Sequence, residues 1–156
     1  MDYVGLMTYD FHGAWEHETG FNAPLYKRQS ETGKAATLNA DWAIADWLAK
    51  GCPKHKLVMG LATYGRSFTL QNPLKSGVGA PARGAGKRGP FTGVDGFLGY
   101  YEICKLAQAG WTVKHDEEQV TEVMCTKYNY DSRVNFYFSS QTFDLFSLAL
   151  RIQFKT

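Results

Sequence analysis

Two near-continuous apolar runs stand out in the first half of the chain. Tyr3-Val-Gly-Leu-Met-Thr-Tyr9 and Leu57-Val-Met-Gly-Leu-Ala-Thr63 are each of strand length and each gives way to polar, turn-forming residues, so each reads as a buried strand. The first opens into a loop through Gly20, Asn22, Pro24 and Gly33, whose turn chemistry argues against a regular element. The pattern then changes at Asn39, a residue suited to cap a helix. Leu38, Trp42, Ala45 and Leu48 follow at spacings of three and four on one face, and Gly51 and Pro53 are stop signals, predicting a helix of about three turns. Strand, loop, helix and strand form a βαβ unit, and continuous apolar strands predict a parallel sheet covered on both faces.

Beyond residue 70 the pattern loses regularity. Residues 71–96 carry Gly77, Gly79, Pro81, Gly84, Gly86, Gly89 and Pro90 and read as a long irregular excursion. Helical periodicity returns over 100–110. The last part, 120–156, holds three more apolar clusters, at 121–125, 134–138 and 143–146, between polar segments. No internal repeat or low-complexity tract is apparent.

The 156 residues are enough for one domain or a segment of a larger one, and 44% hydrophobic residues are enough for a packed core. A formal charge of +2 with the signs interspersed gives no reason to expect nucleic acid or an anionic membrane as a partner. No apolar run is long enough to span a bilayer, and the first residues show no secretion signal. Cys52, Cys104 and Cys125 lie in no zinc-ligand spacing, so neither a metal site nor a cofactor is expected. Aromatics at 15% suit either a dense core or flat rings that stack on sugars.

Both apolar runs finish in polar groups: Tyr9 and Asp10 after the first, Tyr64 and Arg66 after the second. In parallel α/β architectures that carboxyl edge is where functional groups gather. A tyrosyl hydroxyl beside a carboxylate can hold an acetamido group or a sugar hydroxyl, and the Arg66 fork can donate to sugar oxygens. The alternative is structural: the tyrosines close the sheet end while Asp10 and Arg66 form an ion pair.

These residues stand in a longer pattern. Met7-Thr-Tyr-Asp10 with the loop to Glu16 resembles the Met-x-Tyr-Asp motif at the sixth strand of family 18 chitinases, and Asn22-Ala-Pro-Leu-Tyr26 resembles the segment after it. Gly60-Leu-Ala-Thr-Tyr-Gly-Arg-Ser-Phe68 is similar to that family's seventh strand. Gly79-Ala-Pro81, Gly89-Pro-Phe-Thr92 and Tyr100-Tyr-Glu-Ile-Cys104 resemble markers of the small α+β insertion domain of animal chitinases. The motifs run in the family's order over about 2–119.

The resemblance implies an α/β fold, the C-terminal portion of a (β/α)8 TIM barrel with part of the chitinase insertion domain. A complete barrel needs ~250 residues, so the chain is incomplete as a barrel. The expected division is a barrel segment at 1–68, a partial insertion at 69–119 and a divergent tail at 120–156. The family's Asp-x-x-Asp-x-Asp-x-Glu motif, whose last glutamate is the general acid, is absent from this sequence. Asp116, Glu117 and Glu118 do not fit its spacing and read as a solvated face.

The resemblance assigns binding roles residue by residue. Tyr9 holds the acetamido group, Asp10 binds the sugar beside the cleavage point, Met7 lines the floor, Trp15 is a stacking platform, and Tyr64 and Arg66 bind on the leaving-group side. Cys104 matches a disulfide-forming cysteine whose partner lies beyond the point where the match ends. Val94 and Phe97 stand where animal chitinases often carry Glu and Met facing the cleft. The partner implied is chitin or its oligosaccharides, the location extracellular, and the parent either an active chitinase or a chitinase-like lectin.

Overall fold

The computed structural model describes the backbone of residues 2–125 and 134–138 and the side chains of residues 2–122. Two strands, β1 (Val4–Leu6) and β2 (Leu57–Met59), pair in parallel with Val4 opposite Leu57 and Leu6 opposite Met59. Helix α1 (Ala40–Ala49) lies between them in sequence, which completes the expected βαβ unit. Asn39 is its N-cap, and the Asn39 side chain accepts from the backbone N–H of Trp42 at 2.8 Å.

The strands are shorter than the apolar runs that encode them. After Met59 the chain turns at Gly60, whose N–H donates to the Leu6 carbonyl at 2.8 Å while its own carbonyl accepts from Thr8 Oγ1 at 2.6 Å. A Cβ on Gly60 would stand 2.6 Å from the Leu6 carbonyl oxygen and 2.9 Å from the Tyr9 ring, so only glycine permits this approach.

The expectation of strands covered on both faces is not met among the described residues. Met7 is 77% exposed and Val58 50%, and on the predicted inner face of α1 Trp42 is 44% and Leu48 38% exposed. The physical reason is simple. Among the described residues β1 and β2 pair only with each other, so neither has a flanking strand on its other edge.

A second, antiparallel sheet begins where residues 64–68 would have continued a barrel strand. Strand β3 (Tyr64–Leu70) is its hub, flanked by β4 (Ala82–Ala85) on one side and by β5 (Phe97–Gly99) at its other end. Through β8 (Val134–Phe138) and β7 (Thr121–Cys125) it reaches β6 (Thr112–Asp116), in the order β4-β3-β8-β7-β6. The "irregular" 71–96 stretch thus contains a short strand, concealed in the sequence by its glycines and by a register shift at Thr69/Leu70. Within the part read as a divergent tail, 121–125 and 134–138 are strands of this sheet, whereas 128–131 and 143–146 lie outside the described residues.

Two clusters hold this sheet. Phe21, Phe68 and Ala82, all almost fully buried, pack with Val78, while Leu98 and Ile103 pack with Leu106, Ala107 and Trp111 under helix α2 (Tyr100–Gln108). Glu102, at the third position of α2 and 2% exposed, accepts from the backbone N–H groups of Phe91, Thr92 and Gly99 and from the Thr92 hydroxyl. Burial alone would push its pKa up, but these four donors outweigh burial and hold it below the usual carboxylate value.

The acidic run is not one solvated face. Glu117 is the most open, with its side chain 94% exposed; Asp116 and the exposed Glu118 both pair with Arg28, whose Nε also donates to the buried Gln119 at 2.8 Å. Arg28 in the loop after β1 supplies the opposite charge, a partner too distant in sequence to be seen from spacing.

Candidate functional site

The segment after β1 turns sharply at Asp10, whose φ of 59° puts a non-glycine residue in the left-handed region. Such a backbone costs on the order of 1–3 kcal/mol unless the surroundings enforce it. Asn22, fully buried, does so. Its side-chain oxygen accepts from the Asp10 N–H at 3.0 Å, its amide donates to the Tyr64 carbonyl at 3.1 Å, and its own carbonyl accepts from the Phe11 N–H at 3.0 Å. One side chain therefore ties the loop after β1 to the start of β3.

The result is a polar junction. Tyr64 and Arg66, two residues apart on β3, point to the same face. Tyr64 Oη donates to Asp10 Oδ1 at 2.7 Å, and Arg66 donates to that same oxygen from Nε at 2.9 Å and Nη2 at 2.8 Å. Among the described residues Asp10 Oδ2 and Arg66 Nη1 have no partner, and the Asp10 side chain is 40% exposed. An acceptor and a donor thus remain available to a ligand beside an otherwise saturated ion pair. Burial first, and then its hydrogen bond to Asp10, pushes the Tyr64 phenol far above its ordinary value. It remains a proton donor throughout the physiological range.

Aromatic rings surround this junction. Tyr9 meets Tyr64 edge to face with centroids 6.1 Å apart, and the Phe97 ring stacks on Tyr64 at 4.7 Å and 22°. The Arg66 guanidinium carbon lies 5.2 Å from the Trp15 ring centroid, 5.5 Å from that of Tyr64 and 5.4 Å from that of Phe97. Trp15 itself is 58% exposed.

Of the residues singled out from sequence, Tyr9, Asp10, Trp15, Tyr64 and Arg66 are brought together here. Met7 takes no part in the polar cluster and is 77% exposed, and Cys104 is a free thiol on α2. Sequence reasoning passed over Asn22 as a positioning group and treated Phe97 only as a departure from a motif. A buried asparagine in a turn-rich loop carries no periodic signal. The Phe97 contact, by contrast, follows from pairing: Arg66 stands opposite Phe97 across β3 and β5. Among the described residues no group of His, Cys, Asp or Glu could hold a metal ion, and no helix is long and apolar enough to cross a membrane.

Comparison with known proteins places this geometry. Residues 1–147 match the family model "Glycosyl hydrolases family 18", a match that runs past Gln119. Chitotriosidase-1 of Mus musculus is 51% identical over 115 residues, which are 74% of this chain and 24% of the relative. An active chitinase from Trichuris suis superposes with a TM-score of 0.87 at 32% identity, covering 98% of this chain and 40% of that one. Human YKL-39, described as a pseudo-chitinase with retained chitooligosaccharide binding, superposes with a TM-score of 0.83 at 36% identity, covering 99% of this chain and 40% of the neighbour. The chain therefore spans a quarter to two fifths of the length of these relatives, as a partial segment of their TIM-barrel fold. It belongs to glycosyl hydrolase family 18.

Proposed function

We propose that this chain forms the binding and positioning part of a chitooligosaccharide cleft, and that hydrolysis needs a general acid its sequence does not carry. The carrying observation is the shared oxygen of Asp10: three donors converge on Oδ1, which leaves Oδ2 and Arg66 Nη1 without a hydrogen-bond partner among the described residues. In this reading Tyr9 holds the acetamido group, Asp10 accepts from a sugar hydroxyl, Met7 lines the floor and Trp15 offers a stacking face. Arg66 and Tyr64 make the leaving-group side.

The family's reaction is substrate-assisted. An acid protonates the glycosidic oxygen while the sugar's own N-acetyl carbonyl attacks the anomeric carbon, giving an oxazolinium intermediate and net retention. Asp10, already taking three hydrogen bonds on one oxygen, is suited to bind the sugar beside the cleavage point and not to deliver that proton. Loss of general-acid catalysis alone costs a factor of ~10²–10⁴. We assign residues 1–63 to the barrel segment and the antiparallel sheet from Tyr64 onward to the insertion, and place the protein outside the cell, with chitin as its partner.

A binding-only parent is the second reading, favoured by the likeness to YKL-39 and by a cleft whose contacts here need no acid. Two measurements test the proposal. A fluorogenic chitobioside should show no turnover above an Asp10→Asn control, and chitotetraose should perturb the Trp15 fluorescence of the wild-type chain but not of Asp10→Asn. Turnover above the control, or no binding by the wild type, would sink the reading.

A further inference from the structure

Trp15 is the open ring of the junction, 58% exposed where Tyr9, Tyr64 and Phe97 are half-buried. It stands in a tight turn of the loop after β1, closed by the Glu16 N–H donating to the Gly13 carbonyl at 3.0 Å. Both flanks of that turn are fixed. Before it, the N–H groups of Asp10 and Phe11 donate to Asn22; after it, the chain pairs antiparallel at Glu18 and Pro81, with the Ala82 N–H donating to the His17 carbonyl at 2.7 Å and the Thr19 N–H to the Ala80 carbonyl at 3.0 Å. An exposed indole is thus carried on a short bend between two anchored flanks.

Within the bend, two glycines and one side-chain pair set the direction of the indole. Gly13 is buried beneath its six-membered ring: a Cβ there would lie 2.3 Å from Cζ3 and 2.4 Å from Cη2 of Trp15, so only glycine lets the indole lie down. His12 rests on Gly20 in the same way, where a Cβ would meet the His12 Cγ at 2.3 Å. From that seat His12 Nδ1 donates to Glu16 Oε2 at 2.8 Å, because a carboxylate can only accept. The pair is sheltered, with side chains 18% and 34% exposed, and so competes less with water than an open surface pair. His12 precedes Gly13 and Glu16 follows Trp15, so the bond staples the base of the turn that carries the indole.

We propose that His12 and Glu16 are positioning residues that hold Trp15 in the direction in which it meets a pyranose, acting through the indole and not on the sugar. This assignment rests on the chitooligosaccharide reading above and deepens it by naming what orients the stacking face. A ring whose direction is set before binding loses little freedom when a ligand arrives. Without the staple the indole keeps the Arg66 guanidinium 5.2 Å from its centroid but loses the fixed turn beneath it. The loss is therefore partial, and it is a loss of affinity through Trp15.

The test is chitotetraose affinity of the full chain by calorimetric titration, with Glu16→Ala, Glu16→Gln, His12→Phe, Trp15→Ala and the double replacement of Trp15 and Glu16 by Ala. Immobilising a freed side chain anew on binding should make Glu16→Ala bind roughly 2- to 10-fold more weakly. His12→Phe, which removes the donor, should do the same. Glu16→Gln still offers an oxygen to Nδ1–H and should stay within about twofold of wild type. In the Trp15→Ala background, Glu16→Ala should have no further effect, because the staple acts only through the indole. A ligand-free reading stands beside these: the Trp15 indole N–H resonance, assigned by Trp15→Phe, should shift in Glu16→Ala and return in Glu16→Gln. Equal losses with and without Trp15, an indole resonance that Glu16→Ala leaves in place, or unfolding of both Glu16→Ala and His12→Phe in thermal melts would overturn this proposal alone. No binding by the wild type overturns both readings.

Discussion

The parallel pair β1–β2 and the antiparallel sheet built on β3 are made of similar residues and reach opposite outcomes. Tyr3, Met7, Trp42, Trp47, Leu48 and Val58 all stand more than a third exposed; Leu74, Phe91, Tyr101 and Val113 do so on the antiparallel side, but that side also packs Phe21, Phe68, Leu70, Leu98 and Ile103 to 2% exposed or less. The difference is topological. An antiparallel sheet can close on neighbours from short connections, whereas parallel strands need crossovers and a layer on each face. A segment of a larger fold therefore keeps antiparallel order more readily than parallel order. The polar junction lies between them, with Asp10 following β1 and Tyr64 and Arg66 opening β3.

The largest expected effect is on the closed side. Replacing Glu102 by Ala strands the N–H groups of Phe91, Thr92 and Gly99 in a buried site, at a cost of about 1–3 kcal/mol for each group left unsatisfied. Denaturant unfolding should show a loss of at least ~2 kcal/mol in the sheet, with hydrogen exchange of β1–β2 amides unchanged. Glu102 also sets a pH dependence. Its folded pKa lies below the ordinary 4.5, so its contribution is complete above that value and is lost as pH falls through the lower folded value. A Glu102→Gln chain should lose this acid-side slope. Equal destabilisation of both regions by Glu102→Ala would break the distinction between them.

At Gly60, a Cβ would press on the Leu6 carbonyl and the Tyr9 ring. Gly60→Ala should therefore cost roughly 1–3 kcal/mol of local order, read as faster exchange in β1 and β2. Because Tyr9 is displaced too, chitotetraose affinity should fall while the melting of the antiparallel sheet stays put. Loss of sheet stability instead would mean that the two regions unfold as one unit.

How much of this was legible in the sequence follows the same divide. The βαβ unit, the Asn39 cap and helix α2 were visible because each rests on local periodicity or capping chemistry. The pairing of Tyr64 through Phe68 into a second sheet was not, because Tyr-Gly-Arg-Ser-Phe follows an apolar run with no break, and what turns it away is contact with distant strands. The partners of Asp116 and Glu118 were hidden for the same reason, since Arg28 is almost ninety residues away along the chain. At the site, residue types and family motif pointed to Asp10, Tyr64 and Arg66. That Tyr64 is covered, and that Phe97 covers it, depends on strand register, which no single-sequence pattern supplies.

The smallest effect on stability belongs to the open side, and it is the sharpest test of the comparison. Among the described residues Met7 is 77% and Val58 50% exposed, so charged replacements there remove little buried area and should change unfolding free energy by no more than about 1 kcal/mol. The same replacements act strongly on association. Unpaired strand edges with exposed apolar side chains are templates for other chains, so the wild-type chain should self-associate as its concentration rises. Val58→Lys with Met7→Lys should shift sedimentation toward monomer, because a charge at a strand edge is not readily buried in a new pair. If the double replacement costs several kcal/mol while leaving association unchanged, these faces are covered within the folded chain. The contrast between an open parallel pair and a closed antiparallel sheet would then be lost.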